Sequence, residues 1–400
     1  MENKLNLGCV VLEKSLEKKV QNIIDKTKLG IKVFTYRNFD VLINNIIKED
    51  IDYIFVDIET NREDLVTFLK KVQSEFPHVV RVLFAENFSD DLVLMLNEVV
   101  HLIINKKTME QNLKNIFLKA ARLRELLKNE DLVKLINSFT NLVVLKPQHL
   151  QILQFLNRED YSNKDLTEVI ETNLALSTKV LQVANMICFS TSQIIQSVSN
   201  AVFFLGSNIL RALVINMHVY SFDSGKGNVY RYISMLERHC QNVAACAKTV
   251  AMAFEIEQSV QNDIYTAGLL HDIGKLVIMD KVHSWENIVK LSNDNDLIVW
   301  KAEEAFLGTT HAQIGAYFLG IWNFPNEIID AVAFHHNPSA SNDYEISPLT
   351  FVHIAEAMLR NDRSVTLKDF QNQLDMEYLD RVGIKERVIS YYKSYLGMDN

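Results

Sequence analysis

Hydrophobic residues follow two different patterns along this chain. Over residues 1–107, short apolar runs rich in β-branched side chains alternate with stretches whose apolar residues recur at helical spacing. Five such β–α steps predict a parallel sheet with helices on both faces and functional groups at the carboxyl ends of its strands. The predicted strands are Leu7–Leu12, Ile31–Tyr36, Ile51–Asp57, Val79–Ala85 and Leu102–Ile104, and the predicted helices are 14–27, 37–48, 62–75 and 89–99.

The pattern becomes purely helical after residue 107. Residues 108–139 contain no Gly or Pro, and five apolar side chains repeat there at the 3-4 spacing of a short coiled-coil seam. We expect a linker helix that pairs with its own copy in a homodimer and connects the N-terminal domain to the region that follows, or else a helix whose apolar side packs on the N-terminal sheet. Residues 140–360 predict an all-helical domain and 361–400 a helical tail, so the fold class is α/β followed by all-α. The seam residues are Leu113, Ile116, Ala120, Leu123 and Leu127.

Composition narrows the function classes. The 400 residues are 48% hydrophobic, which is enough for two or three domains with real cores. A net charge of -9 argues against a nucleic-acid surface, because phosphate contacts need clustered Lys and Arg. The chain begins without a basic, apolar leader and has no apolar run of about 18 residues, so we expect a cytoplasmic protein with no membrane contact. Its four cysteines lack metal-type spacing and predict reduced thiols.

The candidate chemistry centres on the apolar stretch Tyr265–Met279. It contains His271, Asp272 and Lys275, which are costly to bury unless paired or bound to a metal. An imidazole beside a carboxylate suits a divalent ion, and a lysine three residues later suits a phosphate. The alternative is a histidine satisfied by a backbone carbonyl and an aspartate that caps a turn.

Other candidate ligands are spread over the following helices. Neutral imidazoles and carboxylates are ligands for Fe, Mn or Zn, and two ions could share such a set. We therefore predict one polar cluster inside the helical domain. Its members beyond His271 and Asp272 are His239, His311, His335, His336 and Glu356.

The N-terminal region resembles the receiver domain of bacterial response regulators. Asp57 ends the third predicted strand and matches the phospho-acceptor, and Lys106 matches the lysine after the fifth strand. The acidic pair that holds Mg in receivers is reduced to Glu13, and Ala85 stands where a switch hydroxyl is usual. The resemblance thus implies a weak Mg site and a degenerate phosphate switch; alternatively, Asp57 caps the next turn.

The helical region resembles the HDOD domain, a mostly non-catalytic relative of the HD phosphohydrolases. The run Gly268–Lys275 is intact, and Ala201–Gly206 and Trp322–Pro325 also fit. A further family motif matches 173–186, although Asn173, Leu174 and Met186 replace its Asp, Pro and Ser. The match implies that this region works by binding signalling partners.

The related HD-GYP phosphodiesterases, which hydrolyse cyclic di-GMP, supply the competing hypothesis. The histidines, Asp272 and Lys275 match their motif positions, with Glu356 in place of a final Asp. Met235 replaces a glutamate ligand, and the Gly-Tyr-Pro loop after His335-His336 is absent. Two functions remain: a signalling regulator with a receiver-like input and an HDOD output, or a metal-dependent phosphohydrolase of a nucleotide or cyclic dinucleotide. In the second, Asp272 and Lys275 would be catalytic.

Overall fold

The architecture is that of a computed structural model of the whole chain. The N-terminal region combines a parallel sheet with helices, and the rest is helical, which confirms the predicted change of pattern along the chain. The structure describes residues 6–10, 14–27, 29–58, 62–86, 95–96, 99–126, 130–137, 152, 155, 162–188, 195–219, 228–279, 285–295, 298–341, 344–359 and 366–398.

The N-terminal sheet is parallel throughout, and its strand order is β2-β1-β3-β4-β5. The β3 and β4 strands are buried along their whole length, as expected for a sheet covered on both faces. Its strands are β1 (Asn6–Val10), β2 (Lys32–Tyr36), β3 (Tyr53–Asp57), β4 (Val80–Ala85) and β5 (Leu102–Asn105). Its helices are α1 (Lys14–Thr27), α2 (Phe39–Asn45) and α3 (Arg62–Glu75), whereas most of the helix predicted over 89–99 lies outside the described residues.

The predicted linker contains two described helices. A short 3-10 turn over Lys106–Thr108 leads into α4 (Met109–Leu126), and α5 (Glu130–Asn137) follows. Four of the seam side chains are buried within this single chain, where α4 packs against α1 and β5. Packing on α1 and the sheet buries Leu113, Ile116 and Ala120, and contact with Gly320 of the helical region helps to bury Leu123. Contacts within the chain therefore account for the burial of the seam, and dimerisation through this helix stays a prediction. The four are Leu113, Ile116, Ala120 and Leu123; Leu127 lies outside the described residues.

The first described helix after α5 begins with a capping box. Ser162 Oγ accepts from the backbone N–H of Asp165, and the Asp165 carboxylate accepts from the Ser162 N–H. The first helices of the helical region are α6 (Asn163–Glu171), α7 (Leu174–Cys188), α8 (Val198–Val219), α9 (Asn228–Ala253), α10 (Gln258–Leu270), α11 (Ile273–Val277) and α12 (Trp285–Asn295). Next come α13 (Val299–Leu307), α14 (His311–Ile321), α15 (Asn326–Phe334), α16 (Pro348–Leu359), α17 (Leu367–Gln373), α18 (Met376–Arg381) and α19 (Lys385–Tyr395).

One face of the sheet shares a hydrophobic core with the helical region, and the other face forms a separate core with α1 and α4. A continuous cluster of buried side chains includes Ile103 of β5 and Trp322 at the end of α14. The contact runs along the amino ends of the strands, where the His101 ring lies 4.8 Å from the Trp322 ring. We call this contact, together with the packing of α4 on α14 and α15, the joint. Within the described residues, no helix is both long and apolar enough to cross a membrane.

Candidate metal centre

Helix ends and helix interiors both deliver side chains to one buried place. His271 caps the end of α10, Asp272 precedes α11, and His311 opens α14. His335 caps the end of α15, while His239 and Glu356 project from the middle of α9 and α16. The polar side chains thus interrupt the apolar helices mainly at their termini, where backbone groups are also available as partners.

Asp272 lies at the middle of the cluster. Its Oδ1 is 2.9 Å from His311 Nε2 and 3.8 Å from His335 Nε2. Its Oδ2 is 2.6 Å from Lys275 Nζ, 3.3 Å from His271 Nε2 and 3.6 Å from His239 Nε2. One carboxylate therefore faces two groups of imidazoles, one group at each oxygen.

Each side of Asp272 has its own set of three further donors. Glu356 Oε1 is 2.7 Å from His239 Nε2 and 2.9 Å from His271 Nε2. On the other side, His311 Nε2 is 3.1 Å from His336 Nε2 and 3.4 Å from His335 Nε2. In each set the ligand atoms lie within 4.8 Å of one another. The structure thus brings together all seven of the metal ligands predicted from the sequence.

The donor set fits divalent ions. The Oδ1 of Asp272 and the Nε2 of His271 are buried and make no hydrogen bond of normal geometry within the described residues. Buried polar atoms of this kind normally have partners, and ligand atoms that converge on one point are what a metal requires. The chemistry of imidazole nitrogen and carboxylate oxygen suits Fe, Mn or Zn.

Hydrogen bonds on the far side of each ring fix which nitrogen faces the centre. His271 Nδ1 donates to Gly268 O at 2.7 Å, and His335 Nδ1 donates to Val332 O at 2.9 Å. Both acceptors are carbonyls in the last turn of the preceding helix, where no helical N–H reaches them. These bonds leave Nε2 of each ring directed at the cluster.

Glu303 and His353 also support the site, and the sequence analysis missed both. Glu303 Oε2 lies 2.6 Å from His311 Nδ1, and His353 Nδ1 donates to the backbone carbonyl of His335 at 2.8 Å. Glu303 sits beside an exposed glutamate on α13, so nothing in the local pattern separates it from a surface residue. The position of His353 three residues before Glu356 was the available signal, because that spacing places both on one helix face.

The carboxylates and imidazoles shift one another's protonation. Burial lowers the pKa of His271, but Asp272 and Glu356 outweigh it and raise that pKa to about 10. Burial acts to raise the pKa of Asp272, but His271 and Lys275 hold it well below its usual range. Burial and the nearby His271 lower the pKa of His335. Protonated imidazoles thus balance the carboxylates of the cluster, and a bound metal ion would take the place of those protons.

A segment of the C-terminal tail clamps the loop that follows His335-His336. Asp375 accepts from the Ser339 hydroxyl at 2.7 Å and the Ser339 N–H at 2.8 Å, and the Arg381 guanidinium donates to the Ser341 carbonyl at 3.2 Å. A cleft of about 230 Å³ beside the cluster is lined by His335, His336, His353, Glu356, Ala357 and Gln373. Met235, at the position of the missing glutamate ligand, is 57% exposed. The tail therefore forms part of the wall of the site.

The candidate phosphoryl site lies elsewhere, at the carboxyl ends of the strands. Asp57 Oδ2 is 2.8 Å from Lys106 Nζ, and the Asp57 side chain is only 2% exposed. Ala85 ends β4 beside them and is fully buried. Glu13 lies outside the described residues. Asp57 and Lys106 are thus brought together as predicted, in a closed ion pair.

Comparisons with known proteins identify a family for the helical region. Residues 142–338 match the HDOD domain family, and this part of the chain is an HDOD domain. An uncharacterized protein of Treponema pallidum (strain Nichols) is 25% identical over 214 residues, which are 51% of this chain and 40% of that protein. This chain therefore spans two fifths of that relative's length.

Two solved structures are similar in part. The MmoQ response regulator of Methylococcus capsulatus (strain Bath) is 19% identical with a TM-score of 0.47, over 63% of this chain and 97% of that one. An HDOD domain protein of Geobacter sulfurreducens is 21% identical with a TM-score of 0.37, over 64% of this chain and 90% of that one.

Proposed function

We propose that this protein is a signal-transduction regulator whose HDOD domain is a protein-interaction output module controlled by the receiver-like region. The joint is the observation that carries the proposal. Helix α4 leaves the sheet and contacts α14 and α15, which begin at His311 and end at His335 respectively. A shift of α4 would thus be transmitted directly to the candidate ligands.

Three contacts make up the joint on the α4 side. Lys119 Nζ donates to Phe324 O at 2.7 Å, and Arg122 pairs with Asp330 on α15. The Leu123 side chain lies against Gly320, where an added Cβ would come within 2.4 Å of it. Because these side chains are closely packed, we expect α4 to move together with α14 and α15.

The test removes the Arg122–Asp330 ion pair and measures the effect on the candidate metal centre. We expect Arg122→Ala to change hydrogen exchange in α14 and α15 and to alter the Mn²⁺ affinity of the cluster. The swap Arg122→Asp with Asp330→Arg should restore both, because it re-forms the pair. Arg238→Ala, on the exposed face of α9, is the control. Unchanged exchange and affinity in Arg122→Ala would exclude control through this contact.

The second candidate is a metal-dependent phosphohydrolase, favoured by the complete ligand set and by Lys275. A bound divalent ion would supply Lewis-acid charge for phosphoryl chemistry. Asp272 would orient the reacting groups, and the Lys275 ammonium, 2.6 Å from Asp272, would stabilise charge on a phosphate. The Gly-Tyr-Pro loop of the related cyclic di-GMP phosphodiesterases is absent after His335-His336. We therefore expect little hydrolysis of cyclic di-GMP.

Elemental analysis and an activity assay separate the two candidates. We expect Fe, Mn or Zn in the purified wild type and its loss in Asp272→Ala, with a lower melting temperature because buried cations lose their partner. Steady hydrolysis of cyclic di-GMP with added Mn²⁺ or Fe²⁺, abolished in His271→Ala, would make the phosphohydrolase the better description.

A further inference from the structure

The carboxylate of Glu303 binds a single residue twice. Its Oε2 lies 2.6 Å from His311 Nδ1 and accepts from the His311 backbone N–H at 2.8 Å. His311 is the first residue of α14, so the carboxylate also meets the positive end of that helix. Both the ring and the main chain of His311 are thus held by one oxygen on α13.

This buried carboxylate takes its hydrogen bonds from His311, and the positive charge of Lys275 also acts on it. Glu303 is 0% exposed, and its second oxygen, Oε1, makes no hydrogen bond within the described part of the chain. A buried carboxylate is costly, and an apolar side chain of similar volume is often as stable or more so. Among the described residues, only His311 donates hydrogen bonds to the Glu303 carboxylate, which points to a role in setting that residue's ring.

The far side of the His311 ring faces the candidate metal position. Nδ1–H donates to Glu303, so Nε2 is directed at Asp272 Oδ1 and at the Nε2 atoms of His335 and His336. His271 and His335 hold their rings differently, since each donates through Nδ1 to a neutral backbone carbonyl. The two sides of Asp272 therefore differ in the support of their ligands.

We propose that Glu303 is a positioning residue for one of two unequal metal positions, the one formed by His311, His335 and His336. A carboxylate that accepts from the outer nitrogen of a ligating histidine fixes the ring and raises the basicity of the other nitrogen. An ion at this position is thus held more tightly than it would be without Glu303. The inference rests on the proposed metal-holding role of the HDOD domain.

Helix α13 supplies a matched pair of variants for the test. Glu304 is exposed on the same helix, so Glu304→Gln changes the same charge without touching the site. Mn²⁺ alone is titrated into the full-length protein, and bound ions are counted by electron paramagnetic resonance. We expect one ion to bind about tenfold more weakly in Glu303→Gln, which keeps an acceptor, and about a hundredfold more weakly in Glu303→Ala. The other ion and the Glu304→Gln variant should behave as wild type.

Wild-type affinity for both ions in both Glu303 variants would overturn the inference while leaving the metal-holding role intact. A wild type that takes up no Mn²⁺ would instead remove that role. In that case the inference is tested on the Nδ1–H proton of His311, which is observed by nuclear magnetic resonance of protein with labelled imidazoles. We expect a deshielded, slowly exchanging Nδ1–H signal that disappears in Glu303→Ala and persists in Glu304→Gln. A signal unaffected by Glu303→Ala contradicts positioning. If Glu303→Ala does not fold, the shape-conserving Glu303→Gln gives both measurements.

Discussion

The carboxyl ends of the parallel strands form one edge of the N-terminal sheet, the carboxyl edge, and their amino ends form the opposite one, the amino edge. These two edges have different surroundings. At the carboxyl edge, Asp57 and Lys106 form an ion pair beside Ala85. At the amino edge, His101 and Asp52 face the rest of the chain: His101 packs on Trp322, and Asp52 pairs with Arg124 of α4. The carboxyl edge carries the chemistry in receivers, and here it keeps the Asp57–Lys106 pair but has Ala85 in place of a hydroxyl. The amino edge is instead packed against the helical region.

This contrast assigns different roles to the two edges. A phosphate on Asp57 would act at the far side of the sheet from the joint, with no hydroxyl at position 85 to follow it. The amino edge instead presses on the helices that carry His311 and His335. We therefore expect variants at the joint to have large effects on stability and variants at Asp57 to have small ones.

Truncation of Trp322 tests the joint most severely. Trp322 is 1% exposed and is among the largest fully buried side chains described in the chain. We expect Trp322→Ala to lower the free energy of unfolding by about 3–5 kcal/mol. Urea unfolding measures this, and hydrogen exchange should show weaker protection in β3 and β4 as well as in α14. Phe203→Ala is the control, because Phe203 is 79% exposed. Unchanged protection of the sheet in Trp322→Ala would mean that its edge is stable without the joint.

A steric variant tests the same contact by overpacking. A Cβ at Gly320 would come within 2.4 Å of the Leu123 methyl carbons. We expect Gly320→Val to cost about 1–3 kcal/mol of unfolding free energy. Leu123→Ala creates space at the same point, so the double variant should lose less than the sum of the single losses. Strict additivity in this double-mutant cycle would contradict direct packing of α4 on α14.

Acid should weaken the joint through His101. Its Nδ1 accepts from the Arg81 N–H at 3.0 Å, and its Nε2–H donates to Asn137 O at 3.1 Å. Burial, together with the positive charge of Arg81, holds the pKa of His101 well below its usual 6.5. The folded protein keeps the ring neutral, whereas the unfolded chain takes up a proton as the pH drops below about 6.5. The free energy of unfolding therefore decreases as the pH is lowered through this range.

His101→Gln removes this titration. We expect the variant to be less stable than wild type at pH 8, because a buried pair of hydrogen bonds is disturbed. Between pH 6.5 and 5, its stability should fall less steeply, by up to about 1.4 kcal/mol per pH unit. Urea unfolding across this range gives the slopes. Burial lowers the pKa of the partly buried His78 less than that of His101, so His78→Gln should flatten the slope less. Equal slopes in wild type and His101→Gln would show that another group dominates the acid sensitivity.

Local patterns predicted more of this molecule than long-range packing could. The change from alternating to helical periodicity after residue 107 and the polar interruptions at His271 and His335 are visible in the sequence, because each depends on neighbouring residues. The burial of the α4 seam is not, since the same 3-4 spacing serves a dimer or a sheet. Glu303 escaped notice for a related reason: its partner lies on the next helix, and its neighbour Glu304 is an ordinary surface residue.

The smallest effects are expected at Asp57. Receiver chemistry needs a metal to neutralise charge on the incoming phosphoryl group, and Mg²⁺ sites generally use carboxylates together with the phosphate oxygens. Asp57 is 1% exposed and bound to Lys106 at 2.8 Å, so an incoming group would first have to displace that lysine. We expect acetyl phosphate or beryllofluoride with Mg²⁺ to give no stoichiometric modification by mass spectrometry and no change in sedimentation.

The Asp57→Ala variant completes this test and separates Asp57 from the joint. Loss of the carboxylate removes the ion pair with Lys106, but 14% of the Lys106 side chain is exposed, so water can solvate its ammonium group. Stability should therefore change far less than in Trp322→Ala, and Mn²⁺ binding by the HDOD domain should not change. Sedimentation of the untreated protein also tests the predicted homodimer through α4. Full phosphorylation at Asp57 with a shift in oligomeric state that Asp57→Ala abolishes would reverse the contrast between the edges, because the carboxyl edge would then be the one that switches.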